Sequence, residues 1–199
     1  YHYPNVLCAV QITGRALVDW LEHAAGQFNR IEPGQQDQML HDPGFPCYNF
    51  DVICGLRYVI DPTKPARFNP DGQLLNPNAW RVRDIFYKNQ PVLPDQRFIV
   101  ATNCYRASGG GGFAESVPMQ TVPLPETTRI YDVLADYISD RPLITPVTRP
   151  VWRFAPAPGT SVLFDSAPAA AAAMKGLTGV RIETVGPAPD GFVRFRLYL

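Results

Sequence analysis

The chain has 199 residues, 46% hydrophobic and 12% aromatic, and its 18 basic and 18 acidic side chains cancel. That length suits one domain with a sizeable core or two small ones. A formal charge of zero excludes a global field that would hold the chain to polymeric nucleic acid or an anionic membrane, and no apolar run reaches the roughly 20 residues that cross a bilayer.

The 21 prolines predict many loops and short elements. The opening Y-H-Y-P-N-V-L-C-A-V starts almost inside a strand, with no initiator Met and no signal peptide, and reads as the C-terminal part of a larger protein. Residues 6–12 read as a strand and Thr13 as a helix N-cap. Over 15–28, Leu17, Leu21, Ala24 or Ala25 and Phe28 fall at helical spacing. A polar loop with Pro33, Pro43 and Pro46 fills 30–49, a strand 56–60 and a second loop 62–79. Residues 80–87 alternate as a strand, and a K-N-Q-P turn leads to Val92. The stretch R-F-I-V-A-T over 97–102 is β-branched and apolar, and reads as a strand running into T-N-C-Y-R-A-S-G-G-G-G-F. A second amphipathic helix is expected over 130–138, capped by Thr127 or Thr128, with Ile130, Val133, Leu134, Tyr137 and Ile138 on one side. After an extended Pro-rich stretch at 140–160 come a strand at 161–164, an Ala-rich helix at 169–174, a strand at 180–184, a Pro189-Asp190-Gly191 turn and a strand at 192–199. Two good helices, about seven strands and long loops predict one α+β domain spanning 1–199.

Most catalytic chemistries fail on their motifs. The glycine run lacks the Lys-Ser/Thr of a P-loop and the ribose acid of a dinucleotide fold. From the residues alone it is either a flexible loop or a place where backbone approaches a ligand closely. His2, His23 and His41 are scattered and read as surface histidines, with no metal-ligand spacing. No G-x-S-x-G occurs, and Asp136 with Asp140 reads as a solvated helix face. Cys8, Cys47, Cys54 and Cys104 form no C-x-x-C, and a Cys47–Cys54 pair in an oxidising compartment and four buried free thiols are equally open. Tyr1, Tyr3, Tyr48, Phe50 and Tyr105 sit in or beside loops. There they either cap the core with wet hydroxyls or stack on a base, worth about 1–3 kcal/mol per face.

Several motifs agree in order and spacing with one family. They are Y-P-N, T-G-x-x-L-x-x-W-L-E-x-x-A-G-Q-F-N, Y-N-F-D-V-I (48–53), Y-x-I-D-x-x-x-P-A-R (58–67) and A-T-N-x-Y-R-A-x-G-G (101–110), with W-R-F-A-P (152–156) more loosely. Together they resemble the C-terminal domain of bacterial 5′-nucleotidase-type enzymes, in the branch of periplasmic bifunctional 2′,3′-cyclic-nucleotide 2′-phosphodiesterase/3′-nucleotidases. The resemblance implies that an N-terminal metallophosphoesterase domain, upstream of this chain, carries two divalent metal ions and the catalytic ligands. This chain would then hold no catalytic residue and no metal, and would bind the nucleoside part of a nucleotide substrate. Two aromatics clamp the base in that family and match Tyr3 and Tyr105; a base-contacting Asn matches Asn5. The loop glycines Gly109, Gly110 and Gly111 complete the candidate substrate-binding set. Gly111 stands where related enzymes carry Asp in G-G-D-G-F, which implies a site that reads the base mainly by stacking. The family's substrate-contacting arginines and its hinge lie upstream of Tyr1. Partners implied are a small-molecule nucleotide and the protein's own N-terminal catalytic domain. Rival readings are a 5′-nucleotidase or UDP-sugar hydrolase domain, and a non-catalytic nucleotide-binding module.

Overall fold

The computed structural model describes residues 3–124, 128–145 and 150–199. β1 (Leu7–Thr13) runs directly into α1 (Gly14–Ala24). Thr13 caps the helix: its backbone is extended and its Oγ1 accepts from the Ala16 N–H at 3.2 Å. Gly14 makes the junction possible, because a Cβ there would lie 2.0 Å from the Leu93 carbonyl oxygen. Ala16, Leu17, Trp20, Leu21 and Ala24 form the buried face of α1. The helix stops four residues before the predicted end, giving way to a 3₁₀ turn at Ala25–Gln27 and extended backbone at Phe28. Gly26 falls in this turn, where helical continuation would cost about 1 kcal/mol relative to Ala.

The remaining elements are β2 (Gln38–Met39), β3 (Leu56–Ile60), β4 (Val82–Tyr87), β5 (Gln90–Pro91), β6 (Arg97–Asn103), α2 (Cys104–Ala107), α3 (Phe113–Ser116), β7 (Gln120–Val122), α4 (Ile130–Ser139), β8 (Trp152–Phe154), β9 (Ser161–Ser166), α5 (Ala170–Ala173), β10 (Ile182–Pro187) and β11 (Val193–Tyr198). The strands form three small sheets, ordered β6-β1-β7, β10-β11-β9-β2 and β5-β4-β3-β8. This is α+β architecture, as the element pattern predicts. β1 and β6 pair antiparallel along their whole length, Leu7 opposite Asn103 and Thr13 opposite Arg97. That pairing sets the end of β6 beside the entry to β1. β8 and β9 join sheets through parallel pairing with β3 and β2, so the C-terminal third shares its ladders with the N-terminal part.

Leu17 and Leu21 of α1, Ile60 of β3, Val162 of β9 and Phe113 of α3 belong to one buried cluster. Two charged groups are also fully buried there. Arg81 donates to the Ala25 and Phe28 carbonyls at 2.9 and 2.6 Å and to the Lys64 carbonyl at 2.7 Å, closing the C-terminal end of α1. Glu22 accepts the Val82 N–H at 2.7 Å and ties α1 to β4. Burial pulls Arg81 down to about 10 and pushes the Glu22 carboxyl up to about 7.

Four further expectations change. The strand predicted from residue 80 begins at Val82, because Trp80 turns to stack under Arg67, 3.8 Å from its ring centroid. In α4 no residue is buried; Tyr131, Val133, Leu134, Tyr137 and Ile138 stay 39–59% exposed, since no described element packs on that face. Its N-cap is Arg129, which pairs with Asp132 at 2.8 Å; Thr128 uses its carbonyl on the Leu7 N–H, and Thr127 lies outside the described residues. None of the four cysteines is fully buried: Cys47 and Cys54 are exposed, Cys8 and Cys104 half-buried, and all are free thiols.

Candidate functional site

The end of β6 builds one wall of a groove. Asn103 leaves the sheet in extended backbone and caps α2, its Oδ1 accepting the Arg106 N–H at 2.8 Å. The short helix turns Tyr105 outward, 47% exposed, and Arg106 inward, 4% exposed. The glycine run then doubles back between α2 and α3. Gly109 and Gly111 take left-handed backbone, φ 81° and 76°, open to glycine at little steric cost. Gly110 lies directly beneath the Tyr105 ring, where an added Cβ would fall 2.5–2.7 Å from three ring atoms. At Gly111 a Cβ would meet Asn49 Oδ1 at 2.3 Å and Arg106 Nη1 at 2.7 Å. The run is thus a seat for Tyr105 with no room for a side chain at Gly111.

Arg106 joins this wall to the segment after a 3₁₀ turn at Cys47–Asn49. Its Nε and Nη2 fork onto Asp51 Oδ2 and Oδ1 at 2.6 and 3.0 Å. Nη2 also reaches Asn49 Oδ1 at 3.4 Å, and Nη1 donates to the Gly110 carbonyl. The guanidinium carbon lies over Phe113, 3.9 Å from its ring centroid. On its other side Phe113 stacks on His23 at 4.2 Å and 12°. Trp20 Nε1–H donates to Asp51 Oδ2 at 2.8 Å. Phe50 also lines the groove and packs edge-on against Phe28 and Trp152.

His23, expected on the surface, is fully buried. Its Nδ1 lies 2.7 Å from Ser116 Oγ, and burial drives its pKa down to about 4. It therefore serves as a neutral aromatic plate that props the α3 end of the loop.

The groove encloses about 1000 Å³, at the upper end of small-molecule sites, which run roughly 300–1,000 Å³. Tyr3, Asn5 and Tyr105 all line it. Tyr3 is 71% exposed and stands on the segment leading into β1. Asn5 places its Oδ1 3.7 Å from Cys104 Sγ, between the two tyrosines in the chain's course. Gly109, Gly110 and Gly111 lie behind this wall and line no part of the groove. Tyr1 falls outside the described residues. Tyr48, 72% exposed, and Asp51 also line the groove and were missed as site residues. Tyr48 stood among the loop aromatics of Y-N-F-D, where only its neighbour in space distinguishes it. Among the described residues no group of three or more His, Cys, Asp or Glu could hold a metal ion, and no helix is long and apolar enough to cross a membrane.

The sequence profile of the 5′-nucleotidase C-terminal domain matches residues 1–117. The chain is similar to the trifunctional nucleotide phosphoesterase protein YfkN of Bacillus subtilis, 41% identical over 167 residues, covering 83% of this chain and 11% of that protein. It is similar to a 2′,3′-cyclic-nucleotide 2′-phosphodiesterase/3′-nucleotidase of Haemophilus influenzae, 39% identical over 182 residues, covering 87% of this chain and 27% of that protein. The fold matches a solved Staphylococcus aureus protein assigned as a 5′-nucleotidase, with a TM-score of 0.58 at 20% identity over 77% of this chain and 28% of that one. The chain spans less than a third of the length of each of these three proteins.

Proposed function

The chain belongs to the 5′-nucleotidase C-terminal-domain family, and from that premise we propose that residues 1–199 act as one nucleoside-recognition domain of a periplasmic, metal-dependent phosphohydrolase. The substrates are nucleoside 2′,3′-cyclic phosphates and 3′-nucleotides, the class for which the Haemophilus relative is named. Tyr3 and Tyr105 sandwich the base, and Asn5 reads its edge. The glycines act one step back: Gly110 seats the Tyr105 ring, while Gly109 and Gly111 let the loop pass close to Ala114 and to Asn49 and Arg106.

The observation that carries this reading is the pair of exposed tyrosines on one groove, one of them seated on a loop with no side chain of its own. A solvent-facing Tyr with a purpose-cut backing suits a flat ligand better than a core cap. Each stacked face supplies about 1–3 kcal/mol and accepts any base, since every base has a π-face. In such a protein two divalent ions in the N-terminal domain would activate a water for attack at phosphorus. The part of this chain would be to bind and orient. Fixing the base fixes where the phosphate points, which is a positioning role. By itself the chain is inactive.

Ligand-observed NMR with adenosine and 3′-AMP tests the reading, with Tyr105→Ala in parallel. One or two stacked faces, less the cost of association, give a Kd of about 1 mM, near −4 kcal/mol. Saturable binding that disappears in the variant supports the sandwich. Binding of equal strength in both proteins would remove Tyr105 from the site.

A further inference from the structure

We propose that Asp51 is the groove's specificity-determining acceptor, taking a hydrogen bond from a donor carried by the nucleoside, either an exocyclic amine of the base or a ribose hydroxyl. This rests on the nucleoside reading above. Among the described lining residues the charged ones are Asp51, Arg97 and Arg106. Arg97 begins β6 while Asn103 ends it, so at about 3.3 Å per residue it stands some 20 Å from the tyrosine end. Arg106 is committed: its side chain is 5% exposed, its N–H groups serve Asp51, Asn49 and Gly110, and its guanidinium carbon lies 3.9 Å from the Phe113 ring centroid. Asp51 is the charged group beside Tyr105 that still reaches open space, with 25% of its side chain exposed.

Among the described residues one lone-pair site of the carboxylate has no protein donor. A carboxylate offers about four lone-pair sites, two on each oxygen. Oδ2 fills both of its sites with Arg106 Nε at 2.6 Å and Trp20 Nε1 at 2.8 Å. Oδ1 holds Arg106 Nη2 at 3.0 Å and keeps the other site. The arginine fork and the indole fix the carboxylate plane, so the remaining lone pair has a set direction before any ligand arrives. A hydrogen-bond acceptor held in place this way favours ligand donors, so base or ribose belongs at Asp51.

The bland alternative is that Asp51 only anchors Arg106. A ligand panel separates the two, because anchoring does not discriminate among nucleosides. The panel is adenosine, purine riboside (no amine), 2′-deoxyadenosine and 3′-deoxyadenosine, titrated by ligand-observed NMR into wild type, Asp51→Asn and Tyr105→Ala. In wild type, one analogue that lacks a donor binds about tenfold more weakly than adenosine, the size of one net charged hydrogen bond. The purine riboside arm assigns the donor to the base, the deoxy arms to the ribose. Asp51→Asn binds all four alike while its melting curve shows it folded, and Tyr105→Ala weakens all four together. Where Asn at 51 unfolds the chain, Asp51→Glu, which keeps the charge and moves the acceptor by one methylene, loses the same discrimination. Equal binding of all four by wild type overturns the role of Asp51 and leaves the sandwich standing. Discrimination that survives in a folded Asp51 variant overturns it as well. Absence of binding by any of the four to wild type overturns the nucleoside reading, and this inference with it.

Discussion

Gly110→Ala should weaken nucleoside binding and leave the fold almost untouched, whereas Gly109→Ala, one residue earlier, should do the reverse. The backbone of Gly110 is not left-handed, so alanine fits its conformation. The new methyl would lie 2.5–2.7 Å from Tyr105 ring atoms, and the ring, 47% exposed, can swing into solvent to escape. The stability cost is that of one surface rotamer, under about 1 kcal/mol. The binding cost is up to one stacked face, about 1–3 kcal/mol; since 1.4 kcal/mol is tenfold, a Kd of about 1 mM moves to about 10 mM or beyond. At Gly109 the backbone has φ 81°, and the methyl would lie 2.3 Å from Ala114 Cβ and 2.8 and 2.9 Å from its Cα and N. Left-handed backbone costs an alanine about 1–2 kcal/mol, and the overlap is with main chain that cannot rotate away. A total near 3 kcal/mol lowers the melting temperature by roughly 6–12 °C for a chain of this size. Thermal melting and NMR titration of the two variants check both halves. If Gly110→Ala binds as wild type does, or melts as low as Gly109→Ala, the glycine run is not a seat for Tyr105.

Glu22 and His23 make stability depend on pH in opposite senses. The folded pKa of His23 is depressed from 6.5 to about 4, so its contribution is present above pH 6.5 and is lost as pH falls through the folded value. That of Glu22 is raised from 4.5 to about 7, so its contribution is present below pH 4.5 and is lost as pH rises towards 7. Each slope is about 1.4 kcal/mol per pH unit, and over pH 4.5–6.5 the two cancel. Urea unfolding of Glu22→Gln, which keeps the acceptor for Val82, should show stability rising by about 3 kcal/mol from pH 4 to 6.5; a flat profile would mean that His23 is not buried neutral. Arg106→Ala leaves Asp51 with Trp20 alone and strips one face of Phe113. Losing one partner of a buried pair costs about 3–5 kcal/mol, here near the lower end because Asp51 keeps 25% of its side chain in solvent. A melting temperature unchanged in Arg106→Ala would show that the fork contributes nothing.

What the sequence reveals follows periodicity and stops where periodicity stops. β6 and α1 stand out because burial repeats at two and 3.6 residues, and their bounds fall within four residues of the prediction. β5, β7, α2 and α3, of two to four residues each, are too short to carry any repeat. The match of Tyr3 and Tyr105 came through resemblance, since an exposed tyrosine leaves no periodic trace. The Asp51–Arg106 fork spans 55 residues of chain, and nothing local to either residue announces it. His23 was legible in principle. It lies three residues after Trp20 and seven after Ala16, on the apolar stripe of α1, and a histidine there is a buried one. In α4 the period was read correctly and misled, because an amphipathic pattern promises a partner without supplying one.

The two walls of the groove are unequal, and this bears on how a base would be held. Tyr105 stands on a capped helical turn, backed by Gly110 and braced through Arg106, Phe113 and His23 to the last turn of α1. Each plate in that series is fully or nearly fully buried behind the tyrosine, so its position is set before binding. Tyr3 is 71% exposed and stands ahead of the first ladder contacts, the Val6–Arg129 bridge and the Leu7 N–H to Thr128 carbonyl bond. Ordering such a side chain against a ligand costs about 0.5–1.5 kcal/mol, which offsets much of one stacked face. Tyr105 should therefore contribute the larger share of affinity, and Tyr3→Ala should weaken adenosine binding less than Tyr105→Ala does. The same NMR titration checks the order, and a larger loss at Tyr3 would mean that the braced wall is the scaffold and the exposed one the grip.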